Sequence, residues 1–569
     1  MLRIPNRDTA LWAREIVDEC MASAGERQMV YVRAAQYYYS GSYDSRAAIH
    51  NKVKPFVDRL GGYLMQPQNV RYNMVFDSTE PDDVLNRAQV ASEKLSSDYR
   101  ERDADIVFAE AVVWSLINGC QLLKHQPADK GFRINPVHPQ NFGVLSETTL
   151  GLEEQEAVCH VTFPTISQLA SVLDDIDHPR RTEIIEKLLL EARQADRDEE
   201  QPTYLHQMVV GGLQPLGNID GSPPEAAGIV NVFPVPTPWR PTRRVSRTVR
   251  FCELWIKDRN REGDWTTLQL VYPDLLIEGD NTRRNLSKIP GRTPFVKVQA
   301  QPTPGYFYGR SVIADVQMLQ DLINKRLRDI KIMWDRNANA PMALSGYVGI
   351  TEEIYNKALS EGGYINDANP NAKAQPLTQP PTPGYLEELE FIWKMFDESS
   401  GFTPIMGGQG DPNTRSGTQA QTLVRTSSPR IIDLAARVER QLAESGYLAF
   451  RLMQAMDPTV YTTEDQKTQF LLEQLPGDFQ IVVDSHSGSP AFAEDNRQVA
   501  IALARAGAIN AEDLLHLLHP PGVELLLANL RKTQKAQAQQ AQQERQEDIM
   551  MQVAGLKPPG QSGGRGRKR

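Results

Sequence analysis

PFVKVQAQPTPGYFYGRSVIADVQMLQDLINKRLRDIKIMWDRNANAPM, residues 294–342, is followed after a Gly/Pro-rich insert by YLEELEFIWKMFDESSGF, residues 385–402. From Arg310 the apolar residues Val312, Val316, Leu319, Ile323, Leu327, Ile330 and Trp334 recur every three or four positions, which predicts a helix over 310–336. At 1.5 Å per residue it would run roughly 40 Å. A second helix is predicted from about Pro383 to Ser400, with Leu386, Leu389, Ile392, Trp393 and Phe396 as its apolar side. The insert reads as a short strand and helix followed by a Pro-rich return. Nothing in this stretch forms a recognisable catalytic set.

Charge divides unevenly between the two helices. The first carries Arg310, Lys325, Arg326, Arg328, Lys331 and Arg336 against Asp315, Asp321, Asp329 and Asp335, six against four, net +2. The second carries Lys394 against Glu387, Glu388, Glu390, Asp397 and Glu398, one against five, net −4. Three uses fit that pattern: ordinary solvated surface, pairing within or between subunits, and a basic band around a passage.

Upstream, residues 8–40 read as helical, ending in Tyr37–Tyr38–Tyr39 before Gly41. Residues 69–76 alternate as a strand would, and 82–118 are helical with Gly119 as the stop. Short strands are expected in QLLKHQ, FRINPV and NFGVLSE, then helix over 165–200. The region 207–240 is rich in Gly and Pro, and 249–278 alternates as a small antiparallel unit. Downstream, TPIMGGQGDPNTRSGT, 403–418, has no period and predicts a loop. A long helix follows over about 418–456 with a restart at Ser428–Pro429, then a strand over 479–484 and short helices over 493–530. The Gln-rich tail 531–569 is basic, nine Lys and Arg against three Asp and Glu, and reads as helical or disordered.

Composition closes several doors. With 569 residues, 40% hydrophobic and 24% charged, the chain suits a soluble protein of several structural units. No window approaches the apolar length of a spanning helix, and the first twenty residues lack a signal-peptide core; we expect no membrane partner and assembly in a cytoplasm. A net charge of −10 argues against general wrapping of DNA. Cys20, Cys120, Cys159 and Cys252 have no metal or redox spacing and are read as reduced, buried thiols. No Gly-Lys pair exists, so a P-loop is excluded. Asp484, Ser485 and His486 are adjacent and read as a polar turn rather than a triad. His516 and His519 have no further ligand near them and read as a helix end before Pro520. No catalytic residue, metal or cofactor is expected.

In order, these pieces resemble the portal proteins of tailed double-stranded DNA bacteriophages. NKVKPFVDRLGGYLMQP resembles the segment leading into the portal wing, and FRINPVHPQNFGVLSE its strand and Asn-Phe turn. PFVKVQ…YFYGRSVIADVQMLQDLINKRL resembles the approach to the first stem helix, with Tyr308–Gly309–Arg310–Ser311 and Gln320…Asn324 in the usual places. The Gly-rich 403–418 lies where that family has its tunnel loop, SGTQAQTLV fits the start of its long wing helix, and ALARAGAINAEDLLHLLHPPG resembles its helical crown. The likeness covers most of 30–530; the Pro-rich 200–245 and the tail have no counterpart in it.

The resemblance implies an α+β, mainly helical subunit with an N-terminal wing over 1–303 containing a β unit at about 249–300. The first stem helix would be 304–336, the clip 337–384, the second stem helix 385–402 and the tunnel loop 403–418. A wing helix and return strand over 419–488, a crown over 489–530 and the tail 531–569 would complete it. It further implies a virion ring of twelve at one capsid vertex, a channel for sequence-independent passage of double-stranded DNA. Its partners would be the terminase large subunit, major capsid and scaffolding proteins, and tail adaptor or neck proteins. The implied loop contacts are Gly407, Gly408, Gln409, Asp411, Asn413, Thr414 and Arg415. The implied stem charges are Lys325, Arg328, Lys331, Arg336, Glu387, Glu390 and Lys394. Alternatives open to the same residues are another virion structural or neck protein, a cytoplasmic hydrolase, and a nucleic-acid-binding protein acting through its tail.

Overall fold

Aromatic and β-branched clusters spread through the first 483 residues meet in the computed structural model around one long helix near the C-terminal end of that span. The structure describes residues 2–195, 249–345, 371–401, 429–483 and 501–507, each of the first four apart from internal stretches, with isolated positions besides. The chain forms two compact units, Met1–Val483 and Asp484–Arg569. Of the second, residues 501–505 are helical. The tail and most of the expected crown lie outside the described residues.

The first unit opens with α1 (Thr9–Cys20) and α2 (Ala24–Ser40). The single helix expected over 8–40 is thus two, broken at Met21–Ser23, and α1 buries Ala13, Ile16, Val17 and Cys20. α3 (Val53–Leu64) and β1 (Tyr72–Val75) follow. The run 82–118 also divides, into α4 (Asp82–Glu101) and α5 (Ala104–Asn118), because Asp103 takes a left-handed conformation at φ 54°. Gly119 ends α5 at φ 97°, where a Cβ would stand 2.8 Å from the Tyr308 carbonyl oxygen. Only glycine fits both the angle and that close approach.

Next come β2 (Gln121–Ala128), β3 (Gly131–Val137), β4 (Phe142–Val144) and β5 (Ala157–Thr162), then α6 (Ile166–Asp175) and α7 (Arg181–Ala195). The strands β6 (Phe251–Lys257), β7 (Trp265–Val271), β8 (Leu275–Ile277) and β9 (Phe295–Val298) precede α8 (Ile313–Ala338). A two-stranded ribbon, β10 (Met342–Ser345) against β11 (Lys373–Pro376), leads to α9 (Gly384–Ser400). Then come α10 (Pro429–Met456), the ribbon β12 (Val460–Thr462) with β13 (Gln469–Leu471), and β14 (Gln480–Val483). The protein is mainly helical with small antiparallel sheets.

Two sheets share the strands read over 249–300. β6, β7 and β8 take β5 and β4 from upstream into a five-stranded sheet, order β4-β5-β6-β7-β8. β9 instead joins β2 and β3, with Leu123 opposite Val296. Phe295, Val296 and Val298 are all buried, and a strand so apolar needs cover on both faces. α1 packs on the five-stranded sheet, while α10 crosses the three-stranded one.

α10 buries Val438, Leu442, Ala449, Phe450 and Met453 in the main core. Each of these but the small Ala449 contributes roughly 1.5–3 kcal/mol relative to exposure. Gly446 lets it pass Tyr72, since a Cβ there would meet the ring at 2.4 Å. β1 pairs with β14, Tyr72 opposite Val483, so the unit is closed by residues some four hundred positions apart. All four cysteines are buried and none forms a disulfide. Among the described residues no helix is long and apolar enough to cross a membrane.

His125 and His138 sit in this core, and burial pushes each imidazole down to about 3. The unfolded chain protonates both near pH 6.5. Their folded pKa is depressed, so protons favour the unfolded state below that pH. Each then costs about 1.4 kcal/mol per pH unit as pH falls from 6.5 towards 3. The melting temperature is expected to drop between pH 7.5 and pH 5; a value constant across that range contradicts the buried neutral pair.

Candidate functional site

The two charged helices form an antiparallel hairpin. Arg326 on α8 pairs with Glu388 on α9 through Nε at 2.9 Å and Nη2 at 2.6 Å. Further along, Asp315 and Ser399 line one small hollow beside Phe56 and Leu60. As the number rises on α8 it therefore falls on α9. Ile323 and Ile330 on one helix and Leu389, Ile392 and Phe396 on the other are buried.

The base of the hairpin is fastened by backbone from another part of the chain. Gln320 is 0% and Asn324 2% exposed. The Asn324 amide oxygen accepts from the N–H groups of Ile49 and His50, both at 3.1 Å, and its Nδ2 donates to the Gly41 carbonyl at 2.8 Å. Gln320 accepts from the Lys52 N–H at 3.1 Å and donates to the His50 carbonyl at 2.6 Å. Lys52 then reaches α9, its Nζ lying 2.8 Å from Asp397 and donating to the Trp393 carbonyl at 3.2 Å. The same ammonium sits over the Phe396 ring at 4.9 Å. Burial lowers the Lys52 pKa, and Asp397 opposes that shift. Tyr37 donates to Asp321 at 2.6 Å; burial and that carboxylate raise its phenol. The strap 49–52 thus binds both helices at once.

Away from the strap, apolar side chains stand in solvent. Met318 is 75%, Trp334 63% and Phe391 62% exposed, and Leu322, Ile332, Leu386 and Met395 are also exposed. Trp334 and Leu386 continue the apolar stripes read from the sequence, and both are exposed. Lys325, Arg328, Lys331, Glu387, Glu390 and Lys394 are all exposed on the hairpin. Arg336 lies in the last turns of α8, and its side chain is outside the described residues. The loop 403–418, with Gly407, Gly408, Gln409, Asp411, Asn413, Thr414 and Arg415, lies outside them entirely, as do Asp484–Ser489, His516 and His519.

The sheets of the first unit hold two buried polar nodes. Lys124 of β2 pairs with Glu253 of β6, and His160 Nδ1 of β5 lies 3.7 Å from the same carboxylate. Burial alone would raise Glu253; Lys124 and His160 outweigh it and hold the carboxylate well below its usual range. Elsewhere Ser445 of α10 meets His125 Nε2 at 2.8 Å and the Tyr99 hydroxyl at 2.7 Å. All three are sealed from solvent, so they serve packing rather than attack on a substrate. Among the described residues no group of three His, Cys, Asp or Glu could hold a metal.

Sequence reasoning marked Gln320 and Asn324 by position without finding their role. The signal was there: two amides four residues apart interrupt an apolar stripe, and buried amides need partners. Tyr37, His50 and Lys52 gave no local sign, since their partners lie far along the chain.

No family model matches the chain, and no curated protein does. Among solved structures it is similar to a chain of the neck of a native GTA particle computed with C12 symmetry, at 11% identity over 82% of this chain and 91% of that one, TM-score 0.35. A chain of the neck of an empty GTA particle computed with C6 symmetry gives 11% identity over 82% and 89%, TM-score 0.36. Likeness this slight carries no weight for function.

Asn324→Ala removes three hydrogen bonds, one of them to the buried Gly41 carbonyl, and is expected to cost roughly 1.5–4 kcal/mol. Arg326→Ala breaks a partly exposed ion pair and is expected to cost under about 1 kcal/mol. Urea denaturation of both variants checks the contrast; equal losses would mean that the strap is not what holds the base.

Proposed function

We propose that the chain is the subunit of a portal: a ring of twelve at one vertex of a phage capsid, through which double-stranded DNA enters and leaves. The observation that carries this reading is the α8–α9 hairpin. It is pinned firmly at its base, yet it exposes Met318, Leu322, Phe391 and Met395 together with charges of both signs. A contiguous exposed apolar patch marks a contact surface. Helices fixed so rigidly, and left so unburied, suit a structure completed by neighbouring copies.

In this reading α8 and α9 are the stem, 337–384 the clip that docks the terminase large subunit and later the tail adaptor or neck proteins, and 489–530 the crown. Major capsid and scaffolding proteins would meet the wing during assembly in the host cytoplasm. The work is conduction and docking rather than bond chemistry, so no cofactor is required. DNA would be held by its backbone alone, weakly enough to be released at every step. The loop 403–418 would form a collar at the passage, with Gln409, Asn413, Thr414 and Arg415 touching phosphates and Gly407 and Gly408 giving the backbone its freedom.

Replacing 407–413 with a shorter linker is expected to lower DNA retention in packaged particles at least tenfold while rings still assemble. Full retention by the shortened loop would overturn the collar. Loss of rings would show that the segment serves assembly instead.

A further inference from the structure

The two flanks of the hairpin carry opposite charges at matching heights. On α8, Asp321, Lys325 and Arg328 follow one another by four and three residues, so they share a stripe. On α9, Glu387, Glu390 and Lys394 do the same by three and four. All six are exposed, Asp321 while accepting from Tyr37. At 3.6 residues per turn, each stripe falls on the side of its helix turned from the other helix, the inner sides being marked by Arg326 with Glu388 and by the buried Ile323, Ile330, Leu389 and Ile392.

The antiparallel register sets the heights. With Arg326 level with Glu388, Asp321 stands level with Trp393 and Lys394, Lys325 with Leu389 and Glu390, and Arg328 with Leu386 and Glu387. Read from the base outward, one flank runs minus, plus, plus. The other runs plus, minus, minus at the same three levels. The hairpin's own two flanks cannot meet, being on opposite sides. A rotation about an axis parallel to the hairpin keeps every level unchanged and brings one flank of each copy to the opposite flank of the next. That is a head-to-tail contact of the kind that closes rings.

We propose that a second copy of this chain docks here, through a three-rung charge ladder: Asp321 with Lys394, Lys325 with Glu390, and Arg328 with Glu387 of the neighbouring copy. The inference rests on the ring reading and adds to it the surface and the register. A single exposed ion pair contributes little. Three in one register at every interface fix level and orientation: a slip of one turn either way replaces three complementary rungs by one complementary and one like-charged. The partner is another copy rather than a foreign acidic or basic protein, because each flank finds its complement, level by level, on the same hairpin.

The test uses two full-length variants, K325E/R328E and E387K/E390K. Each alone sets like charges face to face and is expected to lose at least nine-tenths of its rings, by native mass measurement and negative-stain microscopy at low salt. Thermal melts at wild-type temperature establish that both are folded. Mixed one to one, every contact is again complementary if the two alternate, so rings should return with equal numbers of each. Rings from either variant alone, or a mixture that stays dissociated while the wild type assembles, would overturn the ladder and leave the ring reading standing. A wild type that forms no ring at any concentration or salt would overturn both.

Discussion

Two buried side-chain amides, Gln320 and Asn324, hold the strap 49–52 against α8, and the direction of the hairpin depends on that contact. An amide taken from water without partners costs several kcal/mol, so these two positions are strongly specified. Their partners are backbone groups of Gly41, Ile49, His50 and Lys52, which cannot be supplied by a slipped or rotated helix. Lys52 carries the constraint to α9 through Asp397. The hairpin is thereby aimed by hydrogen bonds at its base.

The rest of the first unit keeps that base still. α10 is tied to β2 and α4 by the Ser445, His125 and Tyr99 node. The three- and five-stranded sheets are tied by Lys124, Glu253 and His160. Buried ion pairs are poor sources of net stability, because desolvation offsets much of the attraction. Their effect is on specificity: a wrong sheet packing would strand a charge. The pairing of β1 with β14 closes the first unit between positions some four hundred residues apart.

The local half of this structure was legible in the sequence. Val316, Ile323 and Ile330 announced α8, and Leu389, Ile392 and Phe396 announced α9, because a helix facing a core repeats near 3.6 residues. The breaks at Met21–Ser23 and at Asp103 were not visible, since helix-competent residues surround them and the interruption is a tertiary matter. Nor were the partners of β1 and β9, as strand pairing over hundreds of residues leaves no local mark. For the candidate site, the charge imbalance of the two helices could be counted, but its arrangement could not. The level matching of Lys325 with Glu390 needs the register that Arg326 and Glu388 set, and no periodicity supplies that.

On the hairpin, exposed apolar side chains such as Met318, Leu322, Phe391 and Met395 stand beside charges of both signs. The most direct measurement is to image the purified chain by negative-stain electron microscopy and to weigh the same sample by native mass spectrometry. The account predicts closed rings of twelve with a central hole wide enough for duplex DNA. A compact monomer that persists across protein and salt concentrations would contradict it.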